Sequence, residues 1–375
     1  MPGHFSAPDA LSPAFARTKR MLFQPFRFGL WSRLAVVALL TGEAGGGGGS
    51  APNFSGIRGS GGDKWRAAAH FFANPDWQQI QPYLGWIIAG FVALIAVVLL
   101  WVYSDCVFRF ILLDAVITGQ CRLREGWKKW RDNGRDYFVW VLAFGFCSLL
   151  LIGIVAGIPI WLAWRAGWLQ KGEDHLGALI GGGLLLGLVI LLVIVALAIV
   201  DLFARDFLIP VMALEDVDAV EGWNRLLAMM GMEKGAYALY VIMKVVLAMG
   251  AAIAFTIINV IVILVLLIPL GIIALIGYAA GQGLGVNWDN ISVDLILVAL
   301  ALLAFAGLMY VVGFVYTPGL VFFESFTLEF FAARYGPLRM KMFPIPSPGS
   351  APPAPLVAPP TSMIPPLLPG DAFPV

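Results

Sequence analysis

Apolar residues run almost without interruption through five stretches of this chain, and the polar residues gather between them. A helix that crosses a bilayer needs about 20 predominantly apolar residues. The segments 82–103 (PYLGWIIAGFVALIAVVLLWVY), 137–161, 176–200 and 291–316 meet that length. A longer run covers 236–280. It predicts one long, tilted span ending near Pro269, because proline removes a backbone donor and disrupts a continuing helix. A surface or re-entrant piece, LGIIALIGYAAG, then follows; reading the run as two spans instead would put Arg334, Arg339 and Lys341 outside. Near the N-terminus, GLWSRLAVVALLTG is short and contains Arg33. It has the length of a signal-peptide core, but a glycine run follows it where an A-x-A-like cleavage site would stand. Residues 27–41 are therefore read as a short, tilted first span.

The polar segments orient these spans, because cytoplasmic loops carry an excess of Lys and Arg. Residues 104–136 hold Arg109, Arg122, Arg124, Lys128, Lys129, Arg131 and Arg135. Residues 164–175 hold only Arg165 and Lys171, and 281–290 hold neither Lys nor Arg. The predicted topology has six crossings in a bacterial inner membrane with both termini cytoplasmic. Cys106 and Cys121 then face the cytoplasm.

Composition agrees with this class. Hydrophobic residues make up 60% of the 375 and charged residues 13%, against about 25% charged in a soluble domain. The formal net charge of +1 gives no basic field for nucleic acid. Three cysteines without CxxC spacing argue against a disulfide framework or a zinc site. His4, His70 and His175 are scattered, and no HExxH or GxSxG occurs. GEDH at 172–175 reads as a solvated turn, and GQGLG at 281–285 lacks the strand–turn–helix context of a phosphate loop. Without a catalytic constellation, the reading is non-enzymatic, with no cofactor and no metal.

One pattern is repeated. Asp105, Arg109 and Glu125-Gly126-Trp127 return as Asp201, Arg205 and Glu221-Gly222-Trp223 at a constant offset of 96 residues. A fainter third copy begins at Asp9 and Ala10, which match Asp218 and Ala219. Each of the three outgoing spans opens with aromatics at i and i+3: Phe28 and Trp31, Tyr137 and Trp140, Tyr237 and Tyr240. Aromatics suit the headgroup interface. The predicted fold is an all-α integral membrane protein of about six transmembrane helices. They form three hairpins in an internal parallel repeat, each introduced by an amphipathic interfacial helix.

Asp and Arg at i and i+4 share a helix face. One reading is an ion pair at the membrane rim, worth about 0.3–0.5 kcal/mol if exposed. The sharper reading makes Arg109 and Arg205, with Trp127 and Trp223, anionic lipid headgroup sites. Asp105, Asp201, Glu125 and Glu221 then keep structural roles. Lys244 lies about two turns into its span at 1.5 Å per residue. It is either an intramembrane functional group or a side chain that snorkels to the surface.

Five regions result: 1–41, an amphipathic segment and short span; 42–81, a Gly-rich linker and an interfacial piece, KWRAAAHFF; 82–175, the repeat with the first motif; 176–343, the repeat with the second motif and the last two spans; 344–375, a disordered Pro-rich tail. The tail reads as a spacer, or alternatively as a ligand for a polyproline-binding partner.

WVYSDCVFRFILLDAVITGQCRLREGWKKWRDNGRDYFVW, DFLIPVMALEDVDAVEGWNRL and VFFESFTLEFFAARYGPL resemble a group of uncharacterised bacterial multi-pass membrane proteins. They are similar to the membrane domain attached to some glycerophosphoryl diester phosphodiesterases. ALSPAFARTKRMLFQPFRFGLWSRLAVVALLTGE resembles the opening of such proteins, so the likeness covers residues 8–340. The phosphodiesterase barrel is absent, and the resemblance implies no catalytic residue. The expectation is an accessory or lipid-interacting scaffold whose partners are membrane lipids, with a membrane-protein partner unspecified. The alternative is a permease-like carrier of a small or lipid-like substrate.

Overall fold

A computed structural model describes residues 6–42, 84–167, 176–283 and 291–343. These residues are about 92% helical and contain no strand. The linker and interfacial piece, GEDH, most of the loop 281–290 and the Pro-rich tail lie outside the described residues. A short 3-10 turn, Pro8–Ala10, leads into α1 (Leu11–Phe23) and α2 (Phe28–Leu40). Then come α3 (Leu84–Thr118), α4 (Leu123–Arg165) and α5 (Leu176–Phe203). A π-helical turn, Ala204–Leu208, joins α5 to α6 (Ile209–Glu215). The rest is α7 (Ala219–Met232), α8 (Lys234–Gly283), α9 (Ile291–Ala332) and α10 (Gly336–Met342).

Local signals set the helix ends. The Ser6 N–H and hydroxyl donate to the Asp9 carboxylate at 2.8 and 2.6 Å, which holds that carboxyl below its ordinary range. Asp218 caps α7 by accepting from the Glu221 N–H at 2.8 Å, the usual duty of an N-cap aspartate. Gly42 and Gly119 follow α2 and α3 with φ of 66° and 70°, the left-handed conformation that glycine adopts without strain.

Five helices are long and apolar enough to cross a membrane, and their most apolar stretches are almost wholly exposed. Burial divides each of them in two. Along α3, residues 84–101 are exposed, while Cys106, Val107 and most of 109–116 are buried. In α4 the last buried residue is Tyr137. None of residues 179–203 is buried, whereas 206–212 are buried without a break. In α8 burial is concentrated at Tyr237 and Tyr240, and in α9 it begins at Gly313. The buried parts form a single cluster with α1 and α2. One end of the molecule is thus a packed helical core, and five apolar helix halves extend from it. Aromatic rings fill that core: Tyr240 lies 4.6 Å from Phe330, 5.0 Å from Phe207 and 5.5 Å from Phe326 between centroids.

Three expectations need correction. The segment 27–41 forms α2, whose 13 residues reach about 20 Å, short of the hydrocarbon thickness of about 30 Å. Leu30, Trp31, Leu34, Ala35, Val37 and Ala38 of α2 are buried, so it is a core helix; its apolar run reflects protein neighbours. Pro269 does not end its helix. The chain stays helical to Gly283, so the run 236–280 holds no hairpin, and α8 extends about 75 Å at 1.5 Å per residue. The aromatics at i and i+3 face inward in four of six cases: Trp31, Tyr137, Tyr237 and Tyr240 are buried, and their shared helix face is the packed one. Cys106 and Cys121 are 0% and 2% exposed, so neither reports the side it occupies to a thiol reagent.

Cys121 also gives a prediction. Burial pushes its thiol up to about 11, opposed more weakly by the Arg33 charge, and Arg33 donates to the Cys121 carbonyl at 2.9 Å. Only the thiolate is nucleophilic. Cys121 is therefore expected to resist maleimide at neutral pH in the folded protein and to react on unfolding. Rapid labelling of Cys121 at neutral pH without unfolding, read by peptide mass mapping that separates it from the exposed Cys147, would show that this corner of the core is open.

Candidate functional site

The two copies of the motif build similar corners. Arg109 places Nε 3.2 Å from Asp105 Oδ2 and Nη2 3.2 Å from Oδ1. Arg205 places Nε 3.1 Å from Asp201 Oδ1 and Nη2 2.7 Å from Oδ2. The Glu-Gly-Trp stretches behave alike too. Glu125 and Glu221 are exposed, Gly126 and Gly222 are buried, and Trp127 and Trp223 are half-buried. Glu125 pairs with Arg122 at 3.0 Å and Glu221 pairs with Arg225. A Cβ on Gly126 would stand 3.0 Å from Ile111, and one on Gly222 would stand 2.7 Å from Leu208. These glycines are required by close packing of α4 on α3 and of α7 on the turn before α6.

One difference separates the corners. The contact partner of Gly126 is Ile111, but that of Gly222 is Leu208, one residue beyond the constant offset. The π-turn at Ala204–Leu208 accounts for it, because a π-turn accommodates one extra residue within a helix. It also inserts Asp206 between Arg205 and Phe207, whose counterparts Arg109 and Phe110 adjoin in the first copy.

Asp206 is the residue that sequence reasoning missed. It is 7% exposed. Its two carboxylate oxygens accept from Lys244 Nζ at 2.5 and 2.6 Å, and Oδ2 also accepts from the Tyr240 hydroxyl at 2.8 Å. Tyr240 in turn lies 2.7 Å from the Thr327 hydroxyl. Lys244 therefore turns inward to an ion pair. A carboxylate standing immediately before the apolar run FLIPVM, residues 207–212, was the available signal.

Arg109, Arg205, Asp206, Lys244 and Glu324 line one cavity of about 550 Å³ between α3, α5, α8 and α9. Its remaining lining is apolar, and the arrangement is ordered. On α5, Val195, Ile199 and Leu202 precede Arg205; on α8, Ala248, Ala252 and Phe255 follow Lys244; on α9, Tyr316 and Leu320 precede Glu324. In these three helices most of the apolar lining lies toward the exposed half, Val241 on the core side of Lys244 being the exception. The cavity thus has a charged floor and apolar walls. Gly319 permits the close approach of α9 to α8, since a Cβ there would stand 2.6 Å from the Phe255 ring.

The tryptophans take no part in this lining. Trp127 packs edge-on against Tyr103 at 5.9 Å and beside Phe108 at 5.5 Å, and Trp223 packs on Trp140 at 5.7 Å. Arg109 also donates from Nη2 to the Thr41 carbonyl at 3.2 Å, which ties α3 to the end of α2. No group of three or more His, Cys, Asp or Glu side chains that would hold a metal occurs among the described residues.

A family model described as a family of unknown function, DUF7544, matches residues 5–340. The chain belongs to that family. The match covers the region over which the resemblance was drawn, but nothing links this family to domains associated with glycerophosphoryl diester phosphodiesterases. No curated protein and no solved structure matches the chain. The site is accordingly read from its own chemistry.

Proposed function

We propose that this is a multi-pass membrane protein that holds a lipid-like amphiphile in the cavity, as a non-enzymatic, lipid-interacting accessory protein of a bacterial inner membrane. The observation that carries this reading is the charged floor beneath apolar walls, which is the polarity of an amphiphile's head and chains. The exposed apolar halves of the five long helices support lipid contact along their length, because burying such surface removes it from water. The basic residues Arg122, Arg124, Lys128, Lys129, Arg131 and Arg135 all stand at the core end, which supports a cytoplasmic core.

We further infer that the two motif-bearing units are copies in one orientation. The shared Asp–Arg pairs and the two buried glycines support this.

The test narrows the walls and leaves the charges untouched. Ala248→Leu with Ala252→Leu is expected to lower the lipid retained after detergent purification, read by native mass spectrometry, while helicity by circular dichroism is kept. Equal lipid occupancy in wild type and the folded double variant would contradict the reading. The π-turn at the floor favours a second reading, a carrier, because π-bulges recur at functional sites and carriers place interrupted helices at their binding sites. Transbilayer movement of a labelled amphiphile in proteoliposomes separates a carrier from an accessory protein.

A further inference from the structure

A second cleft, of about 430 Å³, lies between α1, the elbow joining α1 to α2, the end of α3 and the end of α10. It shares no lining residue with the cavity of mixed charge. Arg17, Arg20, Gln24 and Arg27 line it together with Thr118 and Phe343, and among the described residues no acid does. The order of residues along the chain accounts for that sign. From Ala10 to Gly42 the chain carries Arg17, Lys19, Arg20, Arg27 and Arg33 and no acidic residue. Helix α10 adds Arg339 and Lys341, again without an acid. In a chain of formal net charge +1 this is a strong local excess, and cations held near one another repel until an anion lies between them.

The three arginines are not equivalent. Arg17 is anchored: its Nε donates to Glu329 at 2.9 Å, and its guanidinium stands 5.7 Å from the Phe343 ring centroid. Arg20 makes only a long bond, 3.4 Å from Nε to the Ala16 carbonyl. Arg27 makes neither an ion pair nor a side-chain hydrogen bond among the described residues. A guanidinium carries five N–H donors, so Arg20 and Arg27 both have donors to give. The elbow that carries them is fixed by Trp31. Its Nε1 donates to the Leu22 carbonyl at 2.9 Å, and its ring lies 5.5 Å from Phe23 and 5.6 Å from Phe26. The backbone spacing of Arg20 and Arg27 is thus set before anything binds, which lowers the cost of binding. Two guanidiniums without carboxylates call for an acceptor with several oxygens and a charge to match both. A phosphate monoester has them: it carries about −1.5 to −2 at neutral pH, and its oxygens fit the guanidinium fork. A phosphodiester carries a single charge.

We propose that this cleft binds a phosphate monoester between Arg20 and Arg27, presented by a phosphatidic acid headgroup or by a soluble phosphorylated compound. The site is independent of the cavity and of what the cavity holds.

The test compares three full-length proteins: wild type, Arg20→Gln with Arg27→Gln, and Lys19→Gln. Lys19 is an exposed cation of the same stretch that does not line the cleft. Arg20 and Arg27 are exposed too, so the fold is expected to survive, and circular dichroism checks it. In one arm the proteins enter nanodiscs of equal parts phosphatidic acid, phosphatidylglycerol and phosphatidylcholine with matched chains, and native mass spectrometry after release reads the bound lipid. In the other arm glycerol 3-phosphate is titrated calorimetrically into the proteins in phosphatidylcholine nanodiscs. A lipid source predicts that wild type retains phosphatidic acid over phosphatidylglycerol by about tenfold, the discrimination expected of charge-assisted hydrogen bonds, and that the double variant loses this preference. The wild-type half of that comparison needs no variant. A soluble source predicts that glycerol 3-phosphate binds wild type and binds the double variant about tenfold more weakly. In both cases Lys19→Gln behaves as wild type. Retention of phosphatidylglycerol equal to phosphatidic acid together with no binding of glycerol 3-phosphate overturns the proposal. So does a folded double variant that matches wild type in both arms. Equal losses in Lys19→Gln and in the double variant also overturn it, because binding then belongs to the basic stretch at large and not to the cleft.

Discussion

Replacing Asp206 with alanine is expected to destabilise the protein by about 3–5 kcal/mol, the cost of removing one partner from a buried ion pair. The change strips Lys244 of its carboxylate and leaves the fully buried Tyr240 hydroxyl without that acceptor. Lys244→Met is expected to cost less, because Asp206 would keep its bond from Tyr240 and methionine fills much of the lysine's volume. Asp206→Leu combined with Lys244→Met should recover most of the loss, since replacing a whole buried pair by apolar residues is often neutral or stabilising. Thermal unfolding of the three variants in one detergent decides the matter. Additive losses in the double variant would mean that the two side chains do not act as a pair.

Gly313→Val is expected to be the most damaging single change between α2 and α9. A Cβ at Gly313 would stand 2.8 Å from the Ala35 carbonyl oxygen and 2.8 Å from Leu39 Cγ. The first of these is backbone of a buried helix and cannot swing aside. Overpacking costs typically about 1–3 kcal/mol, and this contact places the valine at the upper end or above it. Gly319→Ala offers the contrast. Its obstacle is the tip of the Phe255 ring, which borders the cavity and has room to turn. Gly319→Ala should alter lipid retention more than melting temperature, and Gly313→Val the reverse. A melting temperature unchanged by Gly313→Val would show that α2 does not sit against α9 as described.

The long helices were legible because an apolar run of 20 or more residues has few structural outcomes. Their inner portions were harder to read. In α3 the apolar residues of 84–101 are exposed and those of 110–116 are buried, yet both are simply hydrophobic in sequence. The same ambiguity led α2 to be read as a short span. Proline at 269 was weighed as a helix stop, but a helix with most of its ladder intact tolerates the loss of one donor. The motif pointed to Arg109 and Arg205, and they do line one cavity with Lys244. Asp206 escaped because it falls just past the repeated residues, at the site of a π-turn that leaves no mark in the residue count. Asp206 standing between Arg205 and Phe207, where Arg109 and Phe110 adjoin in the other copy, was the visible trace of it.

The account turns on whether an amphiphile occupies the cavity with its chains toward the exposed halves. The most direct measurement is photo-crosslinking of one equivalent of a phospholipid bearing a diazirine in its acyl chain, bound to the detergent-purified protein, with adducts mapped by peptide mass spectrometry. The account predicts adducts concentrated on Val195, Ile199, Ala248 and Ala252, and suppressed by excess unlabelled lipid. Adducts spread evenly along α8 as far as Ile276, and insensitive to competitor, would contradict it.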